Sequence, residues 1–186
     1  MWFLRQMKLW ILDILVELKH SLSPERFRCL ANGGMLERGA RVFTAFPGTI
    51  SFGRGVKIGR DTTVSNYDRP GRIEFGDGAS IGWHSDIYGM AGVKIGRNVL
   101  TASYLCILTA NHGYEDVSCP IKDQPCTYAP VEIGDDTWIG YRVTILPGVK
   151  IGKHVVIGAG SVVTKDLPDF SVCAGVPCKV IRLIGK

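Results

Sequence analysis

A period of six residues governs this chain and leaves it few folds to choose from. From Ile133 to Pro168 the sequence divides without a gap into IGDDTW, IGYRVT, ILPGVK, IGKHVV, IGAGSV and VTKDLP, each unit opening on an aliphatic residue. Earlier units open at Phe52, Ile58 and Val64, at Phe75, Ile81 and Ile87, and at Ile95, Thr101 and Ile107, with the phase slipping between these groups. Fifteen units thus fall into five triplets. Glycine fills the second position in nine of the fifteen, where composition alone places about two. Alternate side chains of a strand share a face, so the opening residue and the one two before it point inward together, as Thr137 with Ile139 and Val155 with Ile157. Glycine then marks tight backbone corners. Three six-residue sides make one turn of a triangular coil, and stacked coils bury each other's faces along parallel strands.

The rest of the composition fits a single packed domain. The chain has 186 residues, 46% hydrophobic and 21% charged, which excludes a wholly disordered or collagen-like polymer despite 23 glycines. Its net charge of +5 comes from basic residues scattered singly, a distribution that favours small anionic ligands over nucleic acid. The six cysteines include no CxxC pair and no zinc-type Cys/His spacing, so no metal is expected and free thiols are the expectation. Cys119 and Cys126 could pair within one loop in an oxidising compartment.

Residues 1–22 follow a different period. Leu4, Met7, Ile11, Ile14, Leu15 and Leu18 recur at three- and four-residue steps, an amphipathic helix ended before Pro24. Packing on its own domain or on a neighbouring subunit is the leading role for its apolar face. Arg5, Lys8 and Lys19 beside Trp2, Phe3 and Trp10 are also compatible with weak contact with a membrane surface. Arg5, Lys8, Asp13 and Glu17 interrupt any run long enough for a secretory signal or a spanning helix. A cytoplasmic protein is expected, with room for a peripheral place at the inner face of the membrane.

The run from Ile133 to Pro168, followed by AGVPCKVIR at 174–182, resembles the hexapeptide-repeat acyltransferases of the galactoside, maltose and polysaccharide O-acetyltransferase group. The resemblance implies an all-β solenoid, a left-handed parallel β-helix that departs from the usual right-handed crossover. It also implies a homotrimer with active sites between subunits and acetyl-CoA as co-substrate. The expected organisation is an N-terminal helix and lead-in segment over 1–49, the β-helix over 50–168 and a coenzyme-binding segment over 169–186.

One interruption is large. Between Ile107 and Ile133 a spacing of 26 replaces six, and an insertion of that size in a solenoid is usually functional. This extended loop, about 110–130, opens with His112. In the family resembled, the histidine at that place is the catalytic base, although Gly113 stands here where proline is common. Neutral imidazole suits the task, because a sugar hydroxyl is a poor nucleophile until a base takes its proton during attack. The resemblance further implies coenzyme contacts at Ala159, Thr164, Lys165, Lys179 and Arg182, with Lys179 replacing a common arginine and losing its bidentate geometry. His84 and Asp86 are candidate acceptor contacts. His154 reads as a solvated surface residue, and Trp83 and Trp138 as outward aromatics at a subunit interface.

Other chemistries weigh less. A cysteine thiolate accepting the acyl group first is disfavoured because no histidine is tied to any cysteine by motif. A zinc lyase or hydrolase on the same solenoid needs about three histidines, and no two of the four lie close in sequence. The expected activity is therefore direct transfer of an acetyl group to a saccharide hydroxyl. An antibiotic acceptor is the runner-up, and a non-catalytic trimeric scaffold is a third possibility.

Overall fold

The computed structural model describes residues 24–66 and 68–185. The amphipathic segment 1–22 lies outside the described residues. The first described element, α1 (Pro24–Ala31), starts on a proline whose missing N–H is no loss in a first helical turn. It buries Cys29 and is followed by Asn32, whose Nδ2 donates to the Phe52 carbonyl at 2.7 Å. Burial pushes the Cys29 thiol up to about 11.

Beyond α1 the chain winds into a left-handed parallel β-helix with three flat sides. Side one stacks Ile50–Phe52, Ile73–Phe75, Val93–Ile95, Val131–Ile133 and Lys150–Ile151. Side two stacks Met35–Leu36, Lys57–Ile58, Ser80–Ile81, Leu100–Thr101, Trp138–Ile139, Val156–Ile157 and Ser171–Ala174. Side three stacks Arg41–Phe43, Thr63–Ser65, Asp86–Tyr88, Cys106–Leu108, Thr144–Ile145 and Val162–Val163. The register joins like to like, as in Phe52 to Phe75 to Ile95 to Ile133 to Ile151.

All fifteen residues that open a six-residue unit are buried, and so are the small residues two before the next opening, among them Ala79, Val99, Thr137 and Val155. Buried hydroxyls at these inward positions find carbonyls: Thr137 donates to Gly152, and Ser161 to Gly158. That removes the penalty of an unpaired polar group in a dry core. The strands Met35–Leu36 and Arg41–Phe43 pair onto the first triplet, so the stack begins ahead of residue 50. At the other end Ser171–Ala174 continues side two, and Lys179–Leu183 folds back antiparallel on it.

The second-position glycines serve close approach rather than an unusual backbone angle. A Cβ on Gly134 would meet the Gly152 carbonyl group and the Lys153 nitrogen at 2.6 Å, and one on Gly76 would meet the Gly96–Arg97 backbone at 2.6 Å. The left-handed conformation falls two residues later in the unit. Gly55, Asp61, Gly78, His84, Asn98, Tyr104, Asp136, Arg142, Gly148, His154 and Gly160 all have φ between 52° and 83°. Each turns the chain from one side to the next, so His84 and His154 are corner residues.

Candidate active site

Every slip in the six-residue phase occurs at one edge of the prism, where side three hands over to side one. Residues 66 and 68–72 lie there after Val64, and residues 109–130 leave there after Ile107. The longer insertion is an arm. Its base is a two-residue antiparallel ladder, Ala110 opposite Tyr128 and Asn111 opposite Thr127. Buried Thr109 anchors it by donating to the Tyr88 carbonyl at 2.7 Å and accepting from the Ala91 N–H at 3.1 Å. Gln124 organises the tip: its Nε2 donates to the Asp116 and Cys119 carbonyls, and its Oε1 accepts from the Asp116 N–H. Arg69, from the shorter insertion, lies 4.1 Å over the Tyr128 ring, a cation–π contact that ties the two insertions together.

His112 directly follows the first strand of the arm and is exposed. The ladder sets Cys126 opposite it, and Cys126 Sγ lies 3.6 Å from His112 Nδ1. No motif ties a histidine to a cysteine in this sequence, yet hairpin register does so across fourteen positions. The six cysteines are free, which leaves Cys119 and Cys126 unbridged. Burial raises the Cys106 and Cys178 thiols, as it does Cys29, and keeps all three poor nucleophiles.

The remaining predicted residues lie at two edges and on the final strand. Thr164 and Lys165 are exposed at the edge that carries the arm, in the last coil, two coils beyond the one from which His112 leaves. Coils stack at the strand spacing of about 4.8 Å, which sets that offset near 10 Å along the axis. Ala159 stands at the other end of side three, exposed at the corner before Val162. Between them the turn Gly175–Cys178 caps side three, with Val162 N–H donating to the Gly175 carbonyl and Cys178 N–H to the Val162 carbonyl. Lys179 and Arg182 follow on the exposed final strand, paired with Ala174 and Val172.

His84 and Asp86 flank the corner at which Ala159 stands. The His84 ring stacks on Tyr104 at 5.1 Å and its Nδ1 is 3.9 Å from Asp61 Oδ2, so its partners belong to its own edge. Asp86 lies on the outer row of side three beside Thr63 and Cys106. Neither shares a hydrogen bond or ring contact with His112 among the described residues. Trp83 and Trp138 are half exposed, and Leu100, Tyr104 and Tyr141 add to the same apolar surface. Among the described residues no three His, Cys, Asp or Glu side chains stand close enough to hold a metal, and no helix is long and apolar enough to cross a membrane.

Sequence reasoning missed Cys126 as a neighbour of the histidine, Gln124 as the organiser of the arm and Arg69 as its clamp. Only Arg69 had a signal, its place in the first slip of the period.

The family described as bacterial transferase hexapeptide (six repeats) matches residues 130–165. The chain is 34% identical over 177 residues to galactoside O-acetyltransferase of Escherichia coli K12, covering 91% of this chain and 70% of that protein. Among solved structures, a maltose O-acetyltransferase from Clostridium difficile 630 aligns at 31% identity with a TM-score of 0.50, covering 83% of this chain and 71% of that one. A point mutant of the N-acyltransferase AntD from Bacillus cereus, in complex with dTDP and coenzyme A, aligns with a TM-score of 0.70 at 24% identity over 81% and 80% of the two chains. That last likeness concerns the fold. Against curated relatives that match most of its own length, the chain spans 44% to 72% of theirs.

Proposed function

Because this chain belongs to the bacterial hexapeptide-repeat transferases, we propose that it is an acetyl-CoA-dependent O-acetyltransferase whose acceptor is a saccharide hydroxyl. The observation that carries the proposal is the arm, which presents an exposed histidine from the edge where the last coil presents Lys165. Galactoside and maltose O-acetyltransferases among the similar proteins support a sugar as acceptor.

In this mechanism the acceptor oxygen attacks the thioester carbonyl carbon while His112 takes the hydroxyl proton. The tetrahedral intermediate then collapses, the carbon–sulfur bond breaks, and the imidazolium returns the proton to the departing coenzyme sulfur. One group serves as base and then acid, and no acyl-enzyme is required. Lys165, Lys179 and Arg182 supply cations for the coenzyme phosphates, and Ala159 with Gly158 and Gly160 leaves space for the pantetheine arm. Thr164 adds a hydroxyl beside Lys165. His84 and Asp86 would meet the acceptor only across a subunit boundary, since they do not touch His112 within one chain. A homotrimer provides that boundary, and the half-exposed Trp83, Leu100 and Trp138 supply apolar surface for it.

An acetyl-CoA consumption assay over free sugars, nucleotide sugars, oligosaccharides and hydroxylated antibiotics tests the proposal. Turnover with a saccharide and an O-acetylated product is the expected result. Turnover confined to antibiotics would move the acceptor class. Failure to bind acetyl-CoA in calorimetry would leave a scaffold.

A further inference from the structure

We propose that Cys126 is a positioning residue for His112, holding the ring by Nδ1 and selecting the tautomer in which Nε2 is free. The inference rests on His112 acting as the base, and it names a residue that the repeat and its family pattern leave unassigned.

A neutral imidazole carries its proton on one nitrogen and a lone pair on the other. The nitrogen facing Cys126 is Nδ1, at 3.6 Å from Sγ, a distance within the range of a sulfur hydrogen bond. Sulfur is both a weak donor and a weak acceptor, so the direction of that bond follows from what the opposite nitrogen must do. A base working through Nε2 needs its lone pair there. The proton must then sit on Nδ1, where Nδ1–H donates to Sγ. When Nε2 takes the acceptor proton, Nδ1–H stays in place and the ring need not turn.

The location of the pair explains why a side chain is needed at all. His112 lies one residue past the Asn111–Thr127 rung, and the two-residue ladder is the whole regular structure of the arm's base. The ring is exposed, and no other hydrogen bond or ring contact to it occurs among the described residues. Cys126 is half-buried and is fixed from behind by the Gly113 N–H donating to the Pro125 carbonyl at 3.0 Å. The thiol is therefore the one side chain in hydrogen-bond reach of the ring among the described residues, on a strand whose register is already set.

Nitrogen-15 NMR of the imidazole rings reads the tautomer directly, on full-length protein without substrate, with His112→Gln assigning the signal. Wild type should show His112 mainly protonated on Nδ1. Cys126→Ala should shift the ring toward the Nε2–H form that an unconstrained histidine side chain prefers, and Cys126→Ser, which keeps an acceptor at that place, should restore the wild-type state. With an acceptor in hand, Cys126→Ala should lower kcat about tenfold or more with acetyl-CoA KM unchanged, because a ring in the wrong tautomer has no lone pair to offer. A wild-type ring protonated on Nε2, or a spectrum identical in wild type and Cys126→Ala, would overturn the proposal. Full turnover in His112→Ala would instead remove the base assignment, a separate outcome that leaves the tautomer measurement standing.

Discussion

The coils from Ile133 to Leu167 and the arm from Thr109 to Pro130 are neighbours in sequence and opposites in construction. In the inner coils each inward side chain is stacked between its counterparts in the coils on either side, and Ile139, Ile145 and Ile157 are at most 1% exposed. In the arm only Thr109 and Gln124 are buried, and four strand residues make up the ladder. Repetition thus supplies the packed core, whereas the break in repetition supplies exposed polar side chains mounted on it. Substitutions in the two regions should therefore fail in different assays.

The largest effects belong to the coils. Ile139→Ala removes a fully buried side chain stacked between Thr101 and Ile157 and should cost about 2–5 kcal/mol of stability, seen as a fall in Tm. Gly134→Val should do at least as much, since its first side-chain carbon would lie inside the backbone of the next coil. If either variant keeps wild-type Tm, the coil stack is not what holds the molecule together. His112→Ala should reverse the pattern: kcat drops about a hundredfold or more, on the scale of general base catalysis, with Tm and acetyl-CoA affinity near wild type. Retained turnover would sink the assignment of the arm.

Gln124→Ala sharpens the contrast. It deletes three hydrogen bonds inside the arm and leaves the Asp116 N–H and two carbonyls without that partner, while touching no coil. Cleavage by a protease between residues 114 and 123 should accelerate, and Tm should change little. Equal loss of Tm would mean that arm and coils unfold as one unit.

How far the sequence could be read follows the same division. The fifteen unit openings, from Phe52 to Val163, are visible because burial recurs at a fixed step, and the core follows from them. Two features of the coils escaped because they depend on stacking between turns. One is the left-handed corner at the fourth position, where Asp61, His84, Asn98, Tyr104 and Arg142 stand as well as glycine, so glycine alone does not mark it. The other is a column of third-position charges that alternates Arg54, Asp77, Arg97, Asp135, Lys153 and Asp169 down one edge. In the arm the candidate histidine stands out in the sequence by its position after TAN, whereas its neighbour across the hairpin does not. Pairing of His112 with Cys126 is decided by which residues form the turn, and no period marks that.

Lys165→Ala and Arg182→Ala test the coil side of the site, with a smaller effect. Coenzyme phosphates are remote from the thioester and change little during transfer, so these cations should contribute uniform binding. Acetyl-CoA KM should rise severalfold with kcat less affected, and added salt should weaken wild type more than either variant. Unchanged KM and salt response in both would return Lys165 and Arg182 to the solvated surface.

The smallest expected effect separates the regions by pH. The backbone N–H and guanidinium of Arg54 hold the Asp77 carboxyl below the usual carboxylate range, and the Arg97 guanidinium and backbone N–H do the same for Asp135. In the arm, the hydroxyl and N–H of Ser118 lower Asp116. A carboxyl depressed in the folded state adds stability above its unfolded value, near 3.9 for aspartate, and loses it as pH falls through the folded value. For Asp77 and Asp135 that loss is a loss of coil-to-coil contact, so it should appear in the global unfolding of the protein. Asp77→Asn with Asp135→Asn should lower Tm at neutral pH by no more than about 2–4 °C, because both groups are partly exposed and screened by solvent. The same pair should flatten the decline of Tm between about pH 5 and pH 3. Asp116→Asn should leave that decline as it is, since its partner lies two residues away inside the arm. An equal flattening by Asp116→Asn would show that the arm is coupled to the coils in unfolding, and the division of labour between the two regions would have to be abandoned.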